Sequence, residues 1–260
     1  MNTKERVKAS IAAAWDLGAR LRREPRLTIL YYHGVRPSEA EAFDAQIAYL
    51  KTAANLVSAD HQGPLEPGRP SVAITFDDAF RSVRDNALPS LVRHGAPATI
   101  YVPSGWLGQA PGWAAETAGD GEEVVMTAEE LLALPREIVS FGSHTVRHRH
   151  LTKLASDEIL GEFVESRAAL EALFGEPIDT LAIPYGHFDD RAVGLAERAG
   201  YRHLFSVAPQ AIRAGDPGVL RGRTAVEPTD PPGVFALKAR GAYAWMPIAS
   251  RLKRALTPRS

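Results

Sequence analysis

A chain of 260 residues with 45% apolar and 23% charged side chains is large enough to bury one substantial core. It contains no cysteine, which excludes disulfides and thiolate metal sites, so any metal must be held by nitrogen and oxygen ligands. The formal net charge of −1 hides an asymmetry. Residues 1–26 carry 7 basic and 3 acidic side chains (+4), residues 237–260 carry 6 and none (+6), and the 17 basic and 28 acidic groups of 27–236 leave −11 there. An acidic body argues against nucleic acid as the main partner. Basic ends, by contrast, suit an anionic membrane surface.

At the start of the chain, Val7, Ile11, Trp15, Gly18 and Leu21 recur at helical spacing, with Lys4, Arg6, Lys8, Arg20, Arg22 and Arg23 between them. This predicts a basic amphipathic helix over residues 1–26 rather than a signal peptide. The plainer expectation is that both basic ends are solvated helices packed on the body, with membrane contact as the alternative. With no secretory pattern and no apolar run long enough to cross a bilayer, the expected location is the cytoplasm. Lipid binding by the basic ends would place it at the inner membrane face.

Short β-rich runs then alternate with helical patterns. The predicted strands are Thr28–His33, Val72–Phe76, Thr99–Val102, Ile138–Gly142, Thr180–Pro184 and Leu204–Val207, with a weaker one at Leu220–Val226. Helices are predicted over Glu39–Asn55, Phe80–His94, Ala128–Leu134, Asp157–Phe174 and Asp189–Ala199. Thr127 with Glu130 forms a capping box, and Gly95, Gly175 and Gly200 stand where helices should stop. Such alternation implies a parallel sheet, open or closed into a barrel, with chemistry at the carboxyl ends of its strands. The Gly-rich segment Ser104–Met126, with Trp106 and Trp113, reads as a rim loop over that end. The body is one domain, 27–245, followed by a basic tail, 246–260.

Polar residues stand at those strand ends. The second strand ends in Asp77-Asp78, a costly pair to bury without partners, although turns also favour Asp. The fourth leads into His144-Thr-Val-Arg-His148-Arg-His150. A four-residue spacing would put His144 and His148 on one side of a helical turn, and two imidazoles with one carboxylate make a common open zinc site. His150 falls on the other side and is expected to be structural. The fifth strand ends in Pro184-Tyr185-Gly186, where the Tyr185 N–H could face a reacting oxygen.

Together these runs resemble the polysaccharide deacetylase family, the NodB-homology or carbohydrate esterase 4 family. Its first motif, Thr-Phe-Asp-Asp-Gly, stands here as Thr75-Phe76-Asp77-Asp78-Ala79. Its second, His-(Ser/Thr)-x-x-His-x-x-Leu, runs from His144 to Leu151, and its third is Pro184-Tyr185-Gly186. The resemblance covers Leu27 to Trp245, including Tyr31-Tyr32-His33-Gly34-Val35 and the late run Phe235–Tyr243. It implies an irregular (β/α)7 barrel in which Asp78, His144 and His148 bind a divalent cation, Zn2+ or Co2+. Asp77 is then the general base, and the Tyr185 N–H helps stabilise the oxyanion. The implied enzyme is a metal-dependent hydrolase that removes N-acetyl groups from N-acetylhexosamine units of a glycan. The alternatives are an inactive carbohydrate-binding protein on this fold, and a hydrolase for another amide.

The chain departs from the family pattern in three places. The Arg that often precedes the Pro-Tyr pair by two residues is Ala182 here. Arg223, or less favourably Arg221, would have to reach Asp77 from the last strand. Ala79 replaces a glycine, a milder change, since the position is expected to need only an ordinary backbone conformation. No His occupies a late Leu-His-Asp type of position, where relatives carry the catalytic acid. In a closed barrel the first strand neighbours the last. The strand Thr28–Tyr32 followed by His33 can therefore fill that slot, which makes His33 the expected acid and the barrel circularly permuted with the Tyr-His strand first.

Overall fold

The computed structural model describes residues 3–22, 25–113, 123–213, 216 and 218–256. Its strands are β1 (Arg26–Tyr32), β2 (Asn55–Leu56), β3 (Ser71–Phe76), β4 (Ala98–Val102), β5 (Val139–Ser143), β6 (Thr180–Ala182), β7 (His203–Ser206), β8 (Ile212–Arg213), β9 (Leu220–Gly222) and β10 (Thr224–Ala225). The helices are α1 (Thr3–Arg22), α2 (Ala40–Ala53), α3 (Leu88–His94), α4 (Ala128–Leu132), α5 (Ser156–Phe174), α6 (Asp190–Arg198), α7 (Pro232–Ala239) and α8 (Trp245–Leu256).

The main ladder runs β10-β1-β3-β4-β5-β6-β7-β9, all parallel. β9 pairs with β7 while β10, one residue later, pairs with β1. The weak strand expected at Leu220–Val226 is thus one strand broken at Arg223, and it joins the two edges of the sheet into a seven-stranded barrel. β1 lies between β10 and β3, with the antiparallel β8 against its first two residues.

Side chains alternate across each strand, so the barrel has two cores. Leu27 and Ile29, Ala73, Tyr101, Ala182 and Phe205 form the inner one. Leu30 and Tyr32, Val72, Ile74 and Phe76, Ile100 and Val102 face outward under the helices. α2 covers this layer with Phe43, Ile47 and Leu50, spaced four and three apart and fully buried. Each contributes about 1.5–3 kcal/mol by leaving water. The capping box of α4 is formed: Thr127 N donates to Glu130 Oε2 (2.8 Å) and Glu130 N to Thr127 Oγ1 (3.2 Å). Gly95 and Gly175 end α3 and α5 with φ of +58° and +70°, which a side chain would resist. A π turn, Val83–Ala87, leads into α3 within the helix expected from Phe80.

The expected rim segment packs on the barrel as far as Trp113 and again from Glu123, and residues 114–122 lie outside the described residues. The first helix is formed and packs on the body through its small-residue face. Ala12, Asp16 and Ala19 face the body, whereas Val7, Ile11, Trp15 and Leu21 are 40–77% exposed. Asp16 decides this, because Arg26 (3.1 Å) and Arg240 (2.8 Å) both bind its carboxylate and draw that face inward. The expected basic tail is helical from Trp245, and among the described residues no helix is long and apolar enough to cross a membrane.

Candidate active site

Thr75 faces into the barrel, donating to Leu30 O (2.8 Å), and the two-residue period places Asp77 above it. Its carboxylate meets the Arg223 guanidinium in a two-pronged bond: Nη1 to Oδ1 at 2.6 Å and Nη2 to Oδ2 at 2.7 Å. Arg223 is wholly buried, with its guanidinium over the rings of Tyr31 (4.7 Å) and Tyr101 (5.3 Å). Nη1 also donates to Thr75 Oγ1 at 3.2 Å. Burial alone would raise the Asp77 carboxyl, but the charge and hydrogen bonds of Arg223 hold it at about 2. Arg221 points elsewhere, toward Ala59 O and His61 O. Gly222 is required beside Arg223, because a Cβ there would lie 2.0 Å from Ala208 O.

Asp78 turns away from Asp77 and joins His144 and His148. One ligand atom from each lies within 4.8 Å of the others, and all three residues are buried. Asp78 Oδ1 is 3.5 Å from His144 Nε2 and 3.4 Å from His148 Nε2, and the two Nε2 atoms are 3.2 Å apart. His144 Nδ1 donates to Ala182 O at 2.8 Å, which leaves Nε2 with its lone pair toward the cluster. Burial pushes His148 down to about 2, so its ring is neutral at ordinary pH. Two imidazole lone pairs and a carboxylate oxygen converging in a buried space repel one another unless a cation lies between them. This donor set fits Zn2+ or a similar divalent ion.

Five non-glycine residues among those described have φ in the left-handed region: Asp78 (67°), Ala79 (52°), Thr145 (66°), His148 (53°) and Tyr185 (58°). Each costs on the order of 1–2 kcal/mol, and all lie in the three turns that carry the motifs. This corrects two expectations. Ala79 does not have an ordinary backbone; it takes the conformation for which a glycine is suited. His144 and His148 do not share a helical turn; an irregular loop brings them together.

That loop is tied down by a residue the sequence reading passed over. Glu162 of α5 is buried, and its Oε2 accepts from Val146 N (2.9 Å) and Arg147 N (2.8 Å). Ser166, one turn later, donates to Thr145 O at 3.1 Å. The signal was present: Glu162 sits on the same face as Ile159, Phe163 and Leu170, where a carboxylate needs a partner.

His33 follows directly after β1, two residues beyond the inward Tyr31, with its ring 5.8 Å from that of Tyr31. Tyr185 occupies a turn closed by Gly186 N to Ile183 O (2.9 Å). Its ring stacks on His150 (3.8 Å), which in turn lies against His187 (5.6 Å). His150 therefore supports the turn. Trp113, from the rim segment, stacks on His148 at 4.5 Å.

The polysaccharide deacetylase family model matches residues 65–204, more than half of the chain. The Bacillus subtilis (strain 168) protein with the provisional name polysaccharide deacetylase YxkH is 23% identical over 201 residues, covering 72% of this chain. The chain spans 66% of that relative, just under two thirds. The structure of IcaB from Ammonifex degensii superposes with a TM-score of 0.71 at 22% identity, over 84% of this chain and 98% of the other. Streptococcus pyogenes deacetylase PplD, solved with acetate, superposes at 0.69 and 21%, over 83% and 99%. These structures share the fold, and the family model spans both the first and the second motif as well as Pro184-Tyr185-Gly186. By sequence motifs in order, barrel and family match alike, the chain belongs to the polysaccharide deacetylase family.

Proposed function

We propose that the protein is a metal-dependent hydrolase that removes the acetyl group from N-acetylhexosamine units of a glycan. The observation that carries this is the convergence of Asp78, His144 and His148 beside an Asp77 fixed by Arg223. When held by those three residues, a divalent cation such as Zn2+ or Co2+ supplies Lewis acidity for the acetyl carbonyl and acidifies water. A carboxylate held at about 2 is a weak base toward ordinary water, so Asp77 becomes effective only toward a water acidified in this way.

Asp77 takes the proton as the water oxygen bonds to the carbonyl carbon. The Tyr185 N–H donates toward the oxygen on which negative charge develops. His33 then delivers a proton to the sugar nitrogen as the C–N bond breaks, leaving acetate and a free amine. In this reading β1, lying between β10 and β3, fills the place of the acid-bearing last strand of relatives, which supports a permuted barrel.

The test is acetate release from chitooligosaccharides. Turnover should vanish on chelation and return with Zn2+ or Co2+. Sugar binding with no acetate release by metal-loaded protein would replace this reading with that of a carbohydrate-binding protein.

A further inference from the structure

Among the described residues, the exposed large apolar side chains gather on the two terminal helices. Ten large apolar side chains are exposed among the described residues, and seven belong to α1 and α8: Val7, Ile11, Trp15, Leu17, Leu21, Ile248 and Leu252. The rest are scattered singly, so these form the one patch that needs an explanation. α1 is inverted relative to an ordinary packing helix. Its small residues Ala12 and Ala19 lie on the body with Asp16, and its large residues point away.

The two helices form one surface. Trp15 and Ala19 of α1 and Pro247 and Ile248 of α8 line the same cleft of roughly 460 Å³. Ile248 and Leu252 of α8, four apart on one helical face, are exposed, and the same stretch of sequence contains Arg251, Lys253 and Arg254. On α1, Lys4 and Arg6 are exposed next to Val7. The segments that contain these helices carry +4 and +6, against −11 on the body.

We infer that α1 and α8 together dock the protein, lying in plane, on the surface of an anionic lipid bilayer. An apolar stripe with Trp, Leu and Ile, edged by Lys and Arg, is the pattern of an interfacial helix. Charge chooses among the occupants. A second copy would set two like-charged patches against each other, whereas anionic headgroups complement them. The 20 residues of α1 make a rod about 30 Å long that can lie along the headgroups. This inference does not depend on the deacetylase reading.

The test is co-sedimentation of the full chain with vesicles of phosphatidylcholine, with and without phosphatidylglycerol. Binding should require the anionic lipid, weaken as salt is added, and shift Trp fluorescence to the blue. The variant Val7→Ser/Ile11→Ser/Leu21→Ser should bind at least about tenfold less, as loss of apolar insertion demands. Ile248→Ser/Leu252→Ser should show a similar loss. All five side chains are exposed, so both variants should keep the parent's circular dichroism and melting temperature. Failure of the full chain to bind anionic vesicles would overturn the inference. So would binding that ignores the serine substitutions, or a patch whose only measurable effect is self-association on gel filtration.

Discussion

Arg223 and Asp77 form a buried ion pair whose removal in parts should be more harmful than its removal whole. Arg223 is fully buried and Asp77 is 3% exposed, so neither can recover hydration when its partner is deleted. Arg223→Met strands a carboxylate in the barrel, and Asp77→Asn strands a guanidinium over Tyr31 and Tyr101. Each single change should cost about 3–5 kcal/mol, a large part of the 5–15 kcal/mol that holds a typical domain folded. The double variant strands no charge and should be more stable than either single one, so the coupling energy should be at least as large as a single loss, about 3–5 kcal/mol. Arg223→Lys should rescue little, because an ammonium cannot span both carboxylate oxygens. The assay is urea unfolding followed by Trp fluorescence, run with chelator so that metal binding to the native state does not add stability. Additive losses in the double variant, or an Arg223→Met loss under about 1 kcal/mol, would refute the reasoning.

The site makes further demands. His144→Ala and His148→Ala should each lose most bound Zn2+ by metal analysis, whereas His150→Ala, whose ring lies on Tyr185, should retain it. Asp77→Asn should keep metal yet lose most acetate release, and turnover within a few-fold of the parent would place the base elsewhere. His33→Ala should keep metal and lose orders of magnitude on acetamides but far less on aryl acetates, whose leaving group needs little protonation; equal losses on both would falsify the acid assignment. Glu130 caps α4 and pairs with Arg81 (3.0 Å) and Arg84 (2.5 Å), and despite its partial burial these partners hold its carboxyl at about 2. A depressed pKa stabilises above the unfolded value and is lost as pH falls through the folded one. Glu130→Gln should thus lower Tm by about 2–4 °C at neutral pH, for a capping loss near 1 kcal/mol, with the gap closing below pH ~4.

The sequence by itself carried the barrel's strand–helix order, because period-two and helical spacing report burial directly. It also pointed to the cluster of Asp78, His144 and His148 and to the buried Asp77, since buried carboxylates and clustered histidines have few cheap structural uses. Local order could not say how chain segments distant in sequence meet. Whether Arg221 or Arg223 reaches Asp77 depended on which face of a strand broken between Gly222 and Thr224 points inward, and pairing with β7 and β1 decided that. The left-handed turns at Ala79, Thr145 and His148 were hidden because residue type only biases φ, and packing imposed a strained value. Glu162 looked like any helical glutamate until the loop it holds was folded against it. The orientation of α1 was beyond the sequence for the same reason: amphipathic spacing shows which face is apolar, not what that face meets. Asp16, bound by Arg26 and Arg240 from elsewhere in the chain, turned the small-residue face inward and left the large apolar side chains outside.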